Sequence, residues 1–236
     1  MVNQHKRFTL VYTYYNEPHH LQRQMRQWEK HYKTPIDIFL FDDGSQIHPA
    51  RDVIKDIKLP ENIKLSFYEV TKDLGFNGHG CRNLAAQECK TPWLIYLDID
   101  TVLREQDLEK LQDYDLDPKT RYDFFGKLRG SKNRSWQLNK FVISKDMYLE
   151  SGGYDERTTG WHTGDREYMK RLDEKYKKEN LDWTNLDVVR GGRKGRKKEG
   201  IDIPIYDDEN MILYFPPMPK ELPPVPTINF PWKKVF

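Results

Sequence analysis

The sequence has few of the features that would place the chain in a membrane or in an oxidising compartment. No apolar run in its 236 residues approaches the roughly 20 residues that span a bilayer, and the N-terminal segment lacks the hydrophobic stretch of a signal peptide. Its two cysteines, Cys81 and Cys89, are separated by about 12 Å of predicted helix, which is too far for a disulfide. We therefore expect a cytoplasmic protein in a reducing environment.

The chain also lacks a strong excess of either charge. Its 39 basic and 37 acidic residues give a formal net charge of +2, so the chain as a whole has no polyanion-binding signature. We find no internal repeat. A chain of this length can bury the core of one large domain.

One short stretch, residues 93–100, combines an apolar run with two acidic residues. Residues 93–97 form an apolar run that is too short for an ordinary helix, which indicates a buried strand. Asp98 and Asp100 follow at once, and because side chains alternate along an extended chain, the two carboxylates point the same way. Paired carboxylates suit Mn²⁺ or Mg²⁺, although two solvated aspartates in a loop would give the same pattern.

The order of the elements before this strand predicts an α/β fold. Strands and helices alternate, which is typical of a mostly parallel sheet with helices on its faces. The predicted strands are 8–14, 36–41, 63–70 and 93–97, and the predicted helices between them are 19–32, 50–57 and 81–89, the last after a glycine-rich loop at 73–80.

Polar side chains follow each predicted strand, at the edge of the sheet where ligands bind in such folds. We assign nucleotide binding to Thr13, Tyr15, Glu17, Asp43, Arg82 and Asp98. An aromatic ring can stack on a base, and a guanidinium can bind a pyrophosphate with two hydrogen bonds. Taken singly, Asp43 could instead cap a turn, and Arg82 could be a solvated helix residue.

These motifs together resemble one family. Tyr-Asn-Glu at 15–17, Asp-Asp-Gly-Ser at 42–45, Cys-Arg-Asn at 81–83 and the Asp-x-Asp at 98–100 look like a GT-A glycosyltransferase of family 2. The resemblance continues through 151–156 and 164–167, and it covers about residues 8–175. It implies a nucleotide-sugar donor and a Mn²⁺ or Mg²⁺ ion, with Asp43 reading the base, Asp98 near the ribose and Asp100 on the metal.

The second half is expected to bind the acceptor and to carry the catalytic base. By the resemblance, the base is Asp165, with Glu167 second; the family has a glutamate before this aspartate, where Gly164 stands here. Asp165 could also be an ordinary helix N-terminal residue. The candidate acceptor-binding residues, whose aromatic and polar side chains suit sugars, are Trp136, Gln137, Trp161 and His162.

The last part of the chain departs from the family pattern. Residues 190–198 are basic and glycine-rich, so they predict either a solvated loop or a segment that grips an anion. Seven of the 14 prolines lie between 216 and 231, which excludes a helix and leaves an extended tail that packs on the sheet or binds a partner. We divide the chain into a domain at 1–205, with a nucleotide half at 8–104 and an acceptor half at 105–180, and a tail at 206–236.

The sequence is compatible with three functions. The first is an inverting, metal-dependent transfer of a sugar from a UDP- or GDP-sugar to a glycan or a lipid-linked sugar. The second is transfer to modified bases in DNA, which the basic run at 190–198 would favour. The third is a nucleotide-sugar-binding module without turnover, which would be consistent with the missing glutamate before Asp165.

Overall fold

A computed structural model describes residues 7–75, 77–128, 134–158, 164–188 and 227–236. Over these residues a nine-stranded mixed sheet is flanked by helices on both faces, in the strand order β5-β8-β6-β7-β4-β1-β2-β3-β9. The elements are β1 (Phe8–Tyr14), α1 (Pro18–Lys30), β2 (Ile36–Asp42), α2 (Ala50–Ile54), β3 (Ile63–Val70), α3 (Gly78–Glu88), β4 (Trp93–Asp98), β5 (Thr101–Val102), α4 (Glu105–Asp113), β6 (Thr120–Leu128), β7 (Arg134–Ser144), α5 (Lys145–Glu150), α6 (Gly164–Lys175), β8 (Lys177–Val188) and β9 (Trp232–Lys234).

The first half is the parallel sheet that the sequence predicted. Strand β1 pairs in parallel with both β2 and β4, and β2 pairs in parallel with β3. The carboxyl ends of these strands meet at one edge. Thr13 is in register with Asp98 there, so the loops after β1 and β4 begin side by side.

Apolar side chains cover both faces of this sheet. Leu21 and Trp28 of α1 pack on one face with Leu108 of α4, and all three are fully buried. On the opposite face Leu84 of α3, Met147 of α5 and Leu172 of α6 belong to a second buried cluster. Helices α3 and α6 therefore share a face of the sheet, and this brings the two halves of the chain together.

The second half joins the sheet through an antiparallel strand. Strand β7 pairs antiparallel with β4, and β6 pairs antiparallel with β7 and parallel with β8. The sequence reading missed β8, because Lys177–Val188 begins with four exposed polar residues and shows little apolar alternation. Buried Arg121 of β6 forms ion pairs with Asp123 and with Asp173 of α6, which ties this helix to the sheet.

The described end of the tail belongs to the sheet. Strand β9 pairs antiparallel with β3, and Trp232 packs on Tyr68 with ring centroids 6.1 Å apart. Phe230 is 9% exposed, and one edge of its ring would lie 2.6 Å from a Cβ at Gly80, so only glycine fits under it. Of the two alternatives for the tail, residues 227–236 adopt the packed one.

Some boundaries differ from the expected ones. Helix α3 begins at Gly78, three residues before the predicted start. The last three residues of the expected glycine-rich loop are therefore helical. Helices α1 and α2 end earlier than predicted, at Lys30 and Ile54. Both cysteines are free, as expected, and both are buried. Among the described residues, no helix has the length and apolar character that crossing a membrane requires.

Candidate active site

The buried guanidinium of Arg82 lies at the centre of the site. Its Nη1 donates to the hydroxyl of Tyr154 at 2.7 Å and to Oδ1 of Asp165 at 3.0 Å. Its Nη2 donates to Oδ1 of Asp98 at 3.0 Å and to the carbonyl of Asn139 at 3.2 Å. Burial alone would lower the pKa of Arg82, but Tyr154, Asp165 and Asp98 outweigh it and raise that pKa above its ordinary value. A solvated helix residue is therefore excluded for Arg82.

Asp98 ends β4, and its carboxylate contacts two cations and one side-chain amide. Besides Arg82, its carboxylate accepts from Lys140 Nζ at 2.7 Å and from the Asn139 amide at 2.8 Å. Burial opposes ionisation, yet Lys140 and then Arg82 lower the pKa of Asp98 below its ordinary value. Its side chain keeps 32% of its surface exposed, so a ligand can still reach it. The sequence reading missed Lys140 and Asn139, which become part of the site only because β7 pairs beside β4.

Asp100 has fewer hydrogen-bond partners than Asp98 in the described part of the chain. One of its oxygens accepts from the Thr101 hydroxyl at 2.8 Å. Burial, and then the nearby negative charge of Asp98, raise the pKa of Asp100, so a divalent cation would relieve a destabilised carboxylate. Among the described residues, no group of three or more acidic, histidine or cysteine side chains is arranged so that it could hold a metal ion. Mg²⁺ and Mn²⁺ usually need only one or two protein carboxylates beside substrate phosphates, so Asp98 and Asp100 fit such an ion.

Asp43 is turned into the protein. It is 3% exposed, its Oδ2 accepts the backbone N–H of Asn77 at 2.7 Å, and its Oδ1 lies 3.9 Å from the thiol of Cys81. Burial raises the pKa of Asp43 well above its ordinary value. These contacts link the loop after β2 to the start of α3, and base reading by Asp43 stays a prediction.

The loop after β1 carries the remaining nucleotide-binding candidates. Tyr15 donates from its hydroxyl to Asp73 at 3.0 Å, which joins this loop to the segment after β3. Asn16 has a positive φ of 50°, and its side chain accepts from the backbone N–H groups of Ile47 and His48. Glu17 precedes α1, with its carboxylate 4.0 Å from His20. The loops after β1, β2 and β3 are therefore cross-linked.

Asp165 opens α6 on the opposite side of Arg82. Its Oδ1 also accepts from the Tyr154 hydroxyl at 3.0 Å, and 18% of its side chain is exposed. Glu167 is half-buried in the same first turn. Gly164 stands where the family has the glutamate of its Glu-Asp pair. A side chain at this position would clash with His79, because its Cβ would lie 2.4 Å from the imidazole.

Asn83 holds the turn that carries Tyr154. Its amide oxygen accepts from the Tyr148 hydroxyl at 2.7 Å and from the Tyr154 backbone at 2.9 Å. Its amide nitrogen donates to the Tyr154 carbonyl at 2.9 Å and to Glu156 at 3.0 Å. Asn83 and Arg82 lie one residue apart on α3, so this helix places both Tyr154 and Asp165.

The acceptor-binding candidates are only partly described. Trp161, His162 and the basic run at 190–198 lie outside the described residues. Trp136 belongs to β7, but its side chain is outside the described part. Gln137 donates to the Ser135 carbonyl at 3.2 Å on the same strand. The role of these residues stays a prediction.

Comparisons with known proteins agree with this architecture. The family model "Glycosyl transferase family 2" matches residues 9–198, and the chain therefore belongs to glycosyltransferase family 2, with the GT-A fold. Solved structures of TarS residues 1–349 from S. aureus superpose over 78–79% of this chain, with TM-scores of 0.60 to 0.62 and 10–12% identity. Two of them are complexes with UDP and with UDP-GlcNAc. The chain spans about three fifths of those TarS chains (59–61%), and no curated protein matches it.

Proposed function

We propose that this protein transfers a sugar from a UDP- or GDP-sugar to an acceptor hydroxyl, with inversion at the anomeric carbon. The observation that carries the proposal is the Arg82 guanidinium, which joins Asp98 on the donor strand to Asp165 on the acceptor helix through two 3.0 Å hydrogen bonds. Membership of glycosyltransferase family 2 and the UDP and UDP-GlcNAc complexes of the similar TarS structures support a nucleotide-sugar donor.

Asp165 is the general base in this proposal. Oδ1 is bound by Arg82 and Tyr154, whereas Oδ2 has no hydrogen bond within the described part of the chain. Oδ2 would take the proton of the acceptor hydroxyl while the hydroxyl oxygen attacks the anomeric carbon and the bond to the diphosphate breaks. A single displacement inverts that carbon, and the bonding electrons leave with the nucleoside diphosphate.

The donor side would stabilise the departing diphosphate. Asp100, with Asp98 beside it, would hold a Mn²⁺ or Mg²⁺ ion, which when bound supplies positive charge to the diphosphate. Lys140 and Arg82 keep Asp98 ionised and oriented, each through one hydrogen bond. Tyr15, Thr13, Glu17 and Asp43 remain our candidates for the nucleoside, and a glycan or lipid-linked sugar remains our candidate acceptor.

A substrate screen followed by one matched pair of variants tests the proposal. Nucleotide sugars are first ranked by thermal shift with Mn²⁺, because a bound donor stabilises the fold, and the best donor is assayed for hydrolysis and transfer. Asp165→Asn should keep donor affinity and lose about 10²- to 10⁴-fold in kcat. Asp146→Asn is the control, since Asp146 is exposed in the first turn of α5. The change removes a negative charge from a helix N-terminus, as Asp165→Asn does in α6, but at a site away from the proposed base.

The product anomer tests the stereochemistry separately. NMR of the product should show an inverted anomeric configuration, and retention would exclude the single displacement. An Asp165→Asn enzyme with near-normal kcat would move the base assignment to Glu167. Salt-dependent affinity for DNA would favour the second candidate function, transfer to modified bases, which the basic run at 190–198 supports.

A further inference from the structure

His79 is a buried histidine that lies against the proposed base. It is the second residue of α3, and 1% of its side chain is exposed. Its ring stacks on Tyr154 with centroids 4.7 Å apart and an angle of 8° between the planes. Nε2 lies 3.8 Å from Oδ1 of Asp165. His79 and Arg82 are three residues apart on one helix, so a single helical face presents both side chains to Asp165.

The second ring nitrogen fixes the orientation of the imidazole. Nδ1 lies 3.1 Å from the hydroxyl of Thr158. That hydroxyl donates its own proton to the Asp155 carbonyl at 2.6 Å, so it must accept from His79, and Nδ1 carries a hydrogen. With Nδ1 held by Thr158, Nε2 faces Asp165, 3.8 Å from Oδ1.

Gly164 makes this approach possible. A Cβ at position 164 would lie 2.4 Å from Cε1 and 2.6 Å from Nδ1 of His79, and 2.8 Å from the Thr158 hydroxyl. The ring cannot move aside easily, because the Tyr154 ring is stacked on it. His79 and Gly164 are thus matched in size, and the first turn of α6 rests against the imidazole.

We propose that His79 is a positioning residue for the reaction, packing against Gly164 and Oδ1 of Asp165 so that Oδ2 is held towards the acceptor. The inference rests on the proposed function, in which Asp165 is the base. Arg82 and Tyr154 bind Oδ1 by hydrogen bonds, and the buried His79 ring, 3.8 Å from the same oxygen, limits how far the carboxylate can shift towards α3. Displacement of a reacting group by about 1 Å can cost about 10²-fold in rate, so the loss of this packing should be measurable.

A double-mutant cycle tests whether His79 acts through Asp165. His79→Ala should lower the kcat of transfer by about 10- to 100-fold and leave the donor KM within about threefold. In an Asp165→Asn background the same change should lower kcat by less than about threefold, because the group that it positions is already disabled. Equal factors in both backgrounds would overturn the inference. His31→Ala is the control, since His31 is exposed at the end of α1.

Two further changes cover the case in which His79→Ala does not fold. Thr158→Val removes the acceptor for Nδ1 and should reduce kcat, whereas Thr158→Ser keeps the hydroxyl and should restore it. Gly164→Ala should reduce kcat in the wild-type chain but less in His79→Asn, which removes the two ring atoms that lie closest to the added Cβ. Wild-type kcat in both Thr158→Val and Gly164→Ala would overturn the inference.

The same measurements distinguish an error in the proposed function from an error in the role of His79. Absence of sugar transfer by the wild-type protein, or an unchanged kcat in Asp165→Asn, would reject the base assignment and this inference together. A collapse of kcat in Asp165→Asn with an additive effect of His79→Ala would reject the inference alone.

Discussion

Arg82 donates a 3.0 Å hydrogen bond to Oδ1 of Asp165, a residue 83 positions away in the chain. The other end of the same guanidinium binds Asp98 at 3.0 Å. The sequence suggested that Arg82 binds the donor's diphosphate. In the structure it cross-links the two halves of the site.

Arg82→Lys should impair catalysis although it keeps the charge. One ammonium cannot span both Asp98 and Asp165, so the two carboxylates lose their common partner. We expect a loss of about 10²-fold in kcat/KM and a lower melting temperature. Arg104→Lys is the control, because it breaks a two-pronged bond to Asp107 elsewhere in the fold. An equal activity loss in both variants would contradict the prediction.

Asp100→Asn should weaken the part of nucleotide binding that depends on the metal ion. The variant keeps the shape of the side chain and removes one of the two proposed metal-ligand charges. Calorimetry should show Mn²⁺-dependent UDP or GDP affinity weakened by about tenfold or more, about 1.4 kcal/mol. If the wild-type protein binds the nucleotide equally well with EDTA and with Mn²⁺, Asp100 is not a metal ligand in this function.

Lys140→Met should reduce stability most at neutral pH. Lys140 lies 2.7 Å from Asp98 and is the first of the two cations that lower its pKa. A carboxylate with a lowered pKa contributes stability above its unfolded pKa, and this contribution is lost as pH falls through the folded pKa. The difference in melting temperature between wild type and Lys140→Met should therefore shrink as pH falls below about 4. A difference that is constant with pH would count against this coupling.

Asp43→Asn should have the opposite pH dependence. Burial raises the pKa of Asp43, so this group favours the folded state most below its unfolded pKa, and the contribution is lost as pH rises through the folded pKa. Asparagine keeps an acceptor for the Asn77 N–H and does not ionise. The stability of Asp43→Asn relative to wild type should increase from about pH 4 to about pH 8, as measured by thermal unfolding. A relative stability that falls over this range would contradict the raised pKa.

The donor KM of Asp43→Asn tests base reading apart from stability. If Asp43 contacts the base in both the ground and the transition state, the KM for the donor should rise more than kcat falls. A loss in kcat alone would exclude Asp43 from nucleotide recognition and leave it as a buried link between the loop after β2 and α3.

Local patterns were sufficient for the parallel half of the fold. The apolar run at 93–97 predicted a buried strand with Asp98 and Asp100 at its C-terminal end. Strand β4 is buried and ends at Asp98. The strand at Ile63–Val70 has the predicted bounds. These features depend on a few neighbouring residues, whose hydrophobicity and backbone preference act over one element.

Only the tertiary structure decided the composition of the site. Lys140 reaches Asp98 because β7 pairs antiparallel with β4, and His79 meets Gly164 because α3 and α6 pack on the same face of the sheet. The sequence by itself determined which residue types end the strands and open the helices, since local propensity and spacing govern those positions. It could not determine which of them meet, because contacts across 42 or 83 positions depend on strand order and helix packing over the whole chain.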